Sequence, residues 1–438
     1  MSKLSRASGL SCAAFFATIL AAPTIASAQP ATLQAGDTAW VLSATALVLF
    51  MTLPGLALFY AGLVRVKNAL SVMMHCVAIA CIASMLWLGV GYSLAFDADV
   101  GGGGGLIGGL SKSFLLSVSR GTLRGGLPEI AFFMFQATFA VITPALIVGA
   151  YVERIRFGAV VLFSALWLLL VYAPVCHWVW GGGWLAQRGV MDYAGGLVVH
   201  ATAGISSLLI AKAVGRRDGF PRELRPPHNP GMTMIGGGML WVGWYGFNGG
   251  SALAANGDAA MALAATHLGA SAAGLVWAAL EWRRFGRPSM VGMITGVVAG
   301  LATVTPASGY IGPLGGVVLG ACASLVCFFA VDLVKHRLGI DDALDVFAVH
   351  GVGGILGTLL VAVLASPVFG GVGYPVTGSM GGQAIIQIVG VAATLAWSGI
   401  ATLLILAIVR RLTGLRARDE EISDGLDLSY HGERAYNP

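Results

Sequence analysis

Residues 192–204 read DYAGGLVVHATAG and open a segment that stays apolar to about residue 214, long enough to cross a bilayer. Asp192 stands where a helix N-cap is expected, because its carboxylate can accept bonds from the free amides of the first turn. His200 lies eight residues further on, about 12 Å along the helix axis. An ionisable side chain at that depth is costly. It indicates either a substrate or proton path, or a histidine bonded to a neighbouring helix.

A second histidine stands in a matching setting, in residues 345–354, DVFAVHGVGG. His350 follows Asp345 by five residues and opens another long apolar segment. Both histidines have a glycine four residues later, Gly204 and Gly354, one helical turn away on the same face. These glycines leave room for another backbone or side chain beside each imidazole. We expect the two segments to cross in opposite directions and to bring both imidazoles near the membrane midplane.

The composition predicts a polytopic membrane protein. The chain of 438 residues is 57% hydrophobic and only 10% charged, and its apolar runs are far longer than the strands of a membrane barrel. Its 63 glycines suit helices that pack closely through small residues. The net charge of +5 does not indicate a nucleic-acid partner, because the basic residues are spread over short loops. The six cysteines have neither metal-site nor disulfide spacing, and no cofactor or metal is expected.

The first 28 residues resemble a secretory signal peptide. Lys3 and Arg6 precede an apolar run, and Ala26-Ser-Ala28 follows it. The alternative is a first membrane helix, which Pro23 and the short apolar core disfavour. The expected division is a cleaved signal peptide at 1–28, a transmembrane domain at 29–412 and a cytoplasmic regulatory tail at 413–438.

Hydropathy predicts eleven membrane helices in the mature chain. They lie at about 38–64, 69–95, 128–151, 157–176, 195–214, 232–254, 259–281, 289–305, 311–334, 344–364 and 383–409. With the N-terminus outside, nineteen of the 25 Lys and Arg residues fall in cytoplasmic loops or the tail, and four fall in outer loops. This excess predicts a cytoplasmic C-terminus.

Segments one to five and six to ten are interpreted as two halves. Because five is odd, the second half inserts upside down relative to the first, and the segments that carry His200 and His350 become equivalent. The predicted fold is an all-α polytopic membrane protein with two inverted five-helix halves and a flanking eleventh helix.

Aromatic and hydroxyl side chains gather near the predicted outer ends. Phe135 and Phe139 are four residues apart in segment three, Trp180 ends segment four, and Ser251 ends segment six. Taken singly, such phenylalanines are more often core packing, and such a tryptophan more often belongs to a membrane aromatic belt. Together they can receive a small cation, with roughly 0.5–2 kcal/mol from each ring. A metal ion would need a ring of carboxylates, which the sequence does not place there.

On these residues the chain resembles a bacterial ammonium transporter of the Amt/Mep/Rh family, from about residue 37 to 438. The matching segments are, in order, ALFYAGLVR (57–65), FQATF (135–139), DYAGG (192–196), GWYGFNGGS (243–251), TPASGYIG (305–312), DVFAVHG (345–351) and the tail residues 425–436. Their joint order and spacing make the resemblance specific. Ser308 stands where some relatives have cysteine, a small exchange that alters no pore position.

The resemblance implies a role for each candidate residue. Trp180, Phe135 and Ser251 would form an outer ammonium recruitment site, and Phe139 and Phe247 would be stacked rings that close it. His200 and His350 would line the pore. Asp192 would be a structural or deprotonation-assisting carboxylate, and Thr305 would lie near the vestibule. The resemblance also implies a homotrimer in the bacterial inner membrane, with one pore in each subunit. The implied cytoplasmic partner of the tail is a PII-type nitrogen regulatory protein.

The expected function is therefore ammonium uptake. NH4+ would bind outside and lose its proton, and NH3 would cross the apolar pore, with or without the proton following. One alternative is an ammonium sensor that signals through the tail, which the short sequence after the tail motif disfavours. A second is an intramembrane enzyme that uses His200, His350 and Asp192. The sequence contains neither a metal-binding histidine pair nor a nucleophile with a positioned base.

Overall fold

The protein is described by a computed structural model that covers residues 32–100, 105–223 and 226–436. The predicted signal peptide at 1–28 lies outside the described residues. The main helices are α1 (Ala35–Leu63), α2 (Val66–Phe96), α3 (Glu129–Tyr151), α4 (Phe157–Gln187, broken after Val179), α5 (Gly196–Val214), α6 (Pro230–Trp244, continued by the wide π-type turn Tyr245–Gly249), α7 (Gly257–Phe285), α8 (Met290–Val304), α9 (Pro313–Arg337), α10 (Phe347–Leu364) and α11 (Met380–Leu412). The tail adds α12 (Asp419–Asp424) and the turn Asp427–His431, and the α2–α3 loop holds the antiparallel pair β1 (Leu123–Arg124) and β2 (Leu127–Pro128).

Each of the eleven predicted apolar segments overlaps one of these helices. Within the described part of the chain, nine helices are long and apolar enough to cross a membrane, and α6 and α8 fall outside that set. The prediction of an all-α polytopic fold is confirmed. The count of eleven spans stays a prediction, because length and composition alone do not establish it for the two shorter helices.

The second half of the bundle is held together by backbone contact at small residues. A Cβ added at Gly320 on α9 would lie 2.0 Å from the carbonyl oxygen of Gly269 on α7. A Cβ added at Gly300 on α8 would lie 2.4 Å from the Cβ of Ala273 on α7. Lipid chains are as apolar as leucine, so helices in a bilayer gain most of their mutual affinity from such close packing. The abundance of glycine is thereby explained.

Helices α5 and α10 run in opposite directions. The segment before α5 lies beside Trp180, whose Nε1 donates to the carbonyl oxygen of Asp192 (2.8 Å). The segment before α10 lies beside Arg154, whose guanidinium donates to the carbonyl oxygen of Asp341 (2.5 Å). The carbonyl oxygen of Arg154 in turn accepts the backbone N–H of Ala417 in the tail (2.9 Å). We call these two ends of the bundle the Trp180 face and the tail face. The opposed directions are those that two inverted halves require.

Helix α11 flanks the two halves, as predicted. Gln387 on α11 donates through Nε2 to the carbonyl oxygens of Met191 (2.7 Å) and Thr358 (2.8 Å). Further along, the hydroxyls of Thr402 on α11 and Ser206 on α5 lie 2.8 Å apart. Polar side chains that bond between helices avoid the cost of an unpaired polar group in hydrocarbon. They fix α11 against both α5 and α10.

The tail packs onto the loops of the tail face. The backbone N–H of Arg156 donates to the carbonyl oxygen of Leu415 (2.9 Å). The buried carboxylate of Asp427 accepts the backbone N–H of Ser71 (2.7 Å) near the start of α2. A carboxylate in that position satisfies amides that a helix start leaves without a partner. The tail therefore braces α2 and the α3–α4 connection, which disfavours the alternative of a disordered segment.

We predict that Gly320→Ala lowers the unfolding temperature of the detergent-purified protein by several degrees. Its Cβ would force α7 and α9 apart, and overpacking of this kind costs about 1–3 kcal/mol. Gly238→Ala in α6 is the matched control, because no heavy atom lies within 4 Å of a Cβ built there. Thermal unfolding of both variants checks the prediction, and equal unfolding temperatures would contradict it.

Candidate functional site

Asp192 caps the start of α5 with both carboxylate oxygens. Oδ1 accepts the backbone N–H groups of Gly195 (2.8 Å) and Gly196 (2.6 Å). Oδ2 accepts those of Leu197 (2.7 Å) and Val198 (3.2 Å). The predicted N-cap is therefore confirmed, and it satisfies amides that would otherwise be unpaired inside the protein. Burial raises the pKa of Asp192, and the four bonds offset only part of that effect.

The start of α10 is capped by Asp342, which the sequence interpretation missed. Its Oδ2 accepts the backbone N–H of Phe347 (2.7 Å), and Asp342 precedes His350 by eight residues. The same spacing separates the cap of α5 from its histidine, and that repeated spacing was the available signal. Burial, reinforced by the neighbouring Asp345 carboxylate, raises the pKa of Asp342 to about 7.

Asp345, which the sequence interpretation singled out instead, has a different place. Its backbone has a φ of 63°, and its carboxylate pairs with Lys335 at the end of α9 (2.7 Å). The two aspartates lie three residues apart. Only the folded backbone decides which of them turns back over the helix start.

Helices α5 and α10 cross at the glycines that follow their histidines. A Cβ added at Gly204 would lie 2.2 Å from the Cα of Gly351, and one added at Gly354 would lie 2.5 Å from the Cβ of His200. The close approach that the sequence predicts beside each imidazole is therefore present. Any larger residue at either glycine would push the two helices apart.

The crossing brings His200 and His350 face to face. Their Nδ1 atoms lie 3.3 Å apart, and their ring centroids lie 5.2 Å apart with the planes inclined by 21°. Both side chains are buried, with 1% and 4% of their surface exposed. A neutral imidazole has one N–H and one acceptor nitrogen, so one ring donates and the other accepts. The Nε2 of His200 is buried without a hydrogen-bond partner within the described part of the chain.

Two phenylalanines close the path between the histidines and the Trp180 face. The ring centroids of Phe139 and Phe247 lie 4.4 Å apart, with the planes inclined by 39°. Each side chain is 1% exposed, and the Phe247 ring lies 6.1 Å from that of His200. Sequence spacing alone could not bring α3 and α6 together in this way.

The residues predicted for cation recruitment gather around Phe139. The rings of Trp180 and Phe135 lie 5.6 Å and 5.1 Å from it, both edge to face. Ser251 donates its hydroxyl hydrogen to the carbonyl oxygen of Phe247 (2.8 Å). Its oxygen lone pairs therefore remain able to accept a bond from a donor such as an ammonium N–H.

Trp244 belongs to the same path and was missed by the sequence interpretation, although it lies within the quoted motif GWYGFNGGS. Its ring stacks against His200 (centroids 5.7 Å apart, planes inclined by 24°), and its Nε1 donates to the hydroxyl of Thr305 (2.8 Å). Thr305 is itself fully buried and donates to the carbonyl oxygen of Leu301 (2.7 Å). The contact of Thr305 is thus with Trp244, and its place near a vestibule stays a prediction.

Two cavities of different kinds meet at His350. One has a volume of about 10 Å³, close to the minimum that holds a water molecule, and lies against His200, Phe247 and Trp244. The other, of about 410 Å³, opens at the tail face. Its charged lining residues are Arg65, Glu153, Arg217, Asp218, Glu223, Lys335 and Asp345. Among the described residues there is no cluster of three His, Cys, Asp or Glu side chains that could hold a metal ion.

Five of the seven charged residues of the tail-face cavity, Arg65, Glu153, Arg217, Lys335 and Asp345, form ion pairs with one another. Glu153 accepts from Arg65 (3.0 Å) and lies 3.5 Å from Arg217. Burial alone would raise the pKa of Glu153, but the two guanidinium groups outweigh it and hold the pKa below its ordinary value. The cavity is therefore a polar, hydrated space, unlike the narrow one beside the histidines.

Comparison with known proteins assigns the chain to a family. A model of the Ammonium Transporter Family matches residues 39–436. The ammonium transporter of Aquifex aeolicus is 45% identical over 94% of this chain and 96% of its own length. The ammonium transporter Amt1 of Archaeoglobus fulgidus is 42% identical over 92% of this chain and 99% of its own length. Among solved structures, a Sensor Amt Protein has a TM-score of 0.84 at 29% identity, covering 90% of this chain and 98% of its own. The structure of Saccharomyces cerevisiae Mep2 has a TM-score of 0.82 at 35% identity, covering 89% of this chain and 90% of its own. The chain therefore belongs to the ammonium transporter family.

Proposed function

We propose that this protein takes up ammonium across a bacterial inner membrane. NH4+ binds at the Trp180 face and loses its proton, and NH3 crosses the pore past His200 and His350, with or without the proton. One observation carries the proposal, the pair of buried imidazoles whose Nδ1 atoms lie 3.3 Å apart beneath a closed apolar gate.

Capture is assigned to the aromatic cluster at the Trp180 face. The indole of Trp180 and the ring of Phe135 offer electron-rich faces that attract a small cation. The oxygen of Ser251 accepts an N–H bond from the same ion. A strongly hydrated metal cation gains less, because aromatic rings do not replace its oxygen ligands.

Deprotonation is supported by the dimensions of the path below the cluster. Phe139 and Phe247 are in contact, and the cavity beyond them has a volume of about 10 Å³ with a mostly apolar lining. A bare charge in such a space is very costly, whereas neutral NH3 has nearly the same shape at a far smaller cost. The four amide bonds of Asp192 favour a structural role for this carboxylate over an assisting one.

The two histidines give NH3 a polar contact on this dry path. When the Nδ1 of His200 carries the hydrogen and donates to His350, the Nε2 of His200 is an acceptor. When the Nδ1 of His350 donates instead, the Nε2 of His200 carries the hydrogen and is a donor. NH3 can serve either form, because it both donates and accepts hydrogen bonds. The pair therefore sets which molecule crosses.

The orientation and assembly form part of the same proposal. The Trp180 face is outside, and the tail face is cytoplasmic, in line with the excess of Lys and Arg in the corresponding loops. The transmembrane domain spans 29–412 and forms a homotrimer with one pore in each subunit. The tail, 413–438, is the regulatory segment to which a PII-type nitrogen regulatory protein binds.

A sensor function is the second candidate. The solved structure titled Sensor Amt Protein matches 90% of this chain at a TM-score of 0.84. The tail also packs against helices of the transmembrane bundle, so a change in the pore has a physical route to it. Measured transport by the purified protein would favour uptake over sensing.

We predict that Trp180→Leu and Ser251→Ala each raise the half-saturation concentration for ammonium while leaving the pore intact. The lost cation–π or hydroxyl contact amounts to about 1 kcal/mol, or roughly a fivefold rise. Matched controls are Trp282→Leu, an exposed indole on α7, and Ser271→Ala, whose hydroxyl also donates to the carbonyl four residues earlier (2.8 Å). Unchanged half-saturation in both test variants would remove the recruitment site.

We predict that replacing both His200 and His350 with leucine sharply reduces ammonium-driven charge movement. Replacing one of them with aspartate or glutamate should instead admit potassium, because a fixed negative charge favours water and metal cations. The measurement is the electrogenic response of proteoliposomes to ammonium and to potassium. His267→Leu is the control, since this histidine lies outside the path, bonded to Tyr245 (2.7 Å). Wild-type ammonium current in the double variant, with potassium still excluded, would reduce the pair to packing.

We predict that deleting residues 413–438 abolishes the pull-down of a PII-type protein from nitrogen-replete cells. The deletion also removes the brace on α2, so a second variant separates the two effects. Asp427→Ala breaks the bonds to the start of α2 and leaves the rest of the tail present. Pull-down that persists without the tail would mean that the regulator binds other loops.

A further inference from the structure

A buried histidine near the Trp180 face has no part in the path described above. His177 lies on α4, three residues before Trp180, and its side chain is fully buried. Its Nδ1 lies 3.0 Å from the carbonyl oxygen of Ala95, and its Nε2 lies 2.6 Å from Oδ1 of Asp99. Ala95 belongs to the last turn of α2, and Asp99 belongs to the segment that follows it.

The chemistry of the two contacts determines how many hydrogens they hold. A carbonyl oxygen only accepts, so the Nδ1 of His177 must carry a hydrogen. The second contact joins a ring nitrogen to a carboxylate oxygen, and it also needs a hydrogen between them. The pair therefore holds one proton more than a neutral imidazole and an ionised carboxylate would. Without that proton, the nitrogen lone pair would face the negatively charged oxygen of Asp99.

The same residues are packed against the turn that carries Trp180. The carbonyl oxygen of His177 accepts the backbone N–H groups of Gly181 (3.1 Å) and Gly183 (3.0 Å). A Cβ added at Gly181 would lie 2.0 Å from the carbonyl oxygen of Ala95. The last turn of α2, the imidazole and the turn after Val179 are thus packed directly against one another.

We propose that His177 and Asp99 form a protonated pair that positions Trp180 and thereby sets the affinity of ammonium capture. The proposal rests on the recruitment role proposed above for Trp180. His177 is a positioning residue in this scheme, because it acts through the turn and does not contact the substrate. The chemistry proposed above for His200 and His350 does not involve the pair.

Other ionisable groups on the surrounding elements have their own partners. Tyr92 of α2 and Lys112 both donate to Glu129 of α3, and Asp97 accepts from the hydroxyl of Ser111. Arg124 of β1 donates to the carbonyl oxygen of Phe96. Cys176 of α4 lies beside Tyr172, and Asp192 accepts backbone amides at the start of α5. Within the described part of the chain, Asp99 is the carboxylate bonded to the imidazole. Removing its charge should weaken the contact with the imidazole, because a hydrogen bond to a charged group is the stronger kind.

The test is methylammonium uptake by proteoliposomes, measured with Asp99→Asn. The asparagine oxygen can still accept from Nε2, so the fold is kept while the charge is lost. We expect the half-saturation concentration to rise roughly three- to tenfold at unchanged maximal rate, the size of one weakened hydrogen bond. Asp258→Asn is the matched control, because it removes an exposed carboxylate from the start of α7 at the same face.

A double variant tests whether the pair acts through Trp180. In a Trp180→Leu background, Asp99→Asn should no longer raise the half-saturation concentration. Equal shifts in Asp99→Asn and Asp258→Asn, additive shifts in the double variant, or a fall in maximal rate alone would each overturn the proposal. If Trp180→Leu shifts affinity and Asp99→Asn does not, the pair is refuted while the recruitment site stands. If Trp180→Leu has no effect, the recruitment site fails, and the positioning proposal fails with it.

A second substitution covers the possibility that Asp99→Asn does not fold. His177→Gln keeps an N–H donor for the Ala95 carbonyl and removes the imidazole that bonds to Asp99, so it should give the same shift in affinity at unchanged maximal rate. Failure of both variants to yield folded protein would make the pair a folding requirement, which overturns the positioning role.

Discussion

The backbone contact between α5 and α10 at Gly204 and Gly351 is the constraint on which the rest of the structure depends. In a bilayer, helices gain little by burying apolar side chains against one another, so affinity comes from close approach at small residues. Here that approach has a second effect. It brings His200 and His350, each one turn from a crossing glycine, within hydrogen-bonding distance. The same packing that holds the two inverted halves together thus creates the buried pair of imidazoles.

Two buried carboxylates make this crossing sustainable. Both helices begin inside the protein, where free backbone amides would be left without partners. Asp192 and Asp342 accept those amides, and each stands eight residues before its histidine. The helices themselves begin at Gly196 and Phe347, so each imidazole lies only about one turn, roughly 5 Å, beyond the start of its helix. Both oxygens of Asp192 are taken up by backbone bonds, whereas Asp342 accepts through Oδ2 and its Oδ1 is buried without a partner within the described part of the chain.

The two ends of the path differ in their chemistry. At the Trp180 face, aromatic rings meet over a closed gate, and the space behind it is about 10 Å³. At the tail face, a cavity of about 410 Å³ is lined by paired charges such as Glu153 and Arg65. A cation can be held by the first surface and solvated in the second, but the space between suits only a small neutral molecule. The tail, through its contacts with Arg154 and α2, stabilises the wide end.

Periodicity and spacing in the sequence determined the helical membrane fold, the opposed directions of the two histidine segments, the glycines beside each imidazole and the cap at Asp192. These features are local, or follow from counting apolar segments, so no tertiary information is needed. The repeated eight-residue spacing was the one sequence signal that favoured Asp342 over Asp345 as the second cap, and the sequence interpretation did not use it. Which carboxylate turns back over the helix start is decided by the path of the backbone between α9 and α10. The sequence interpretation also missed Trp244 and the pairing of His177 with Asp99, which join elements far apart in the chain. Only the packed bundle decides which rings meet and which carboxylate faces which histidine, since these contacts are set by how the helices cross.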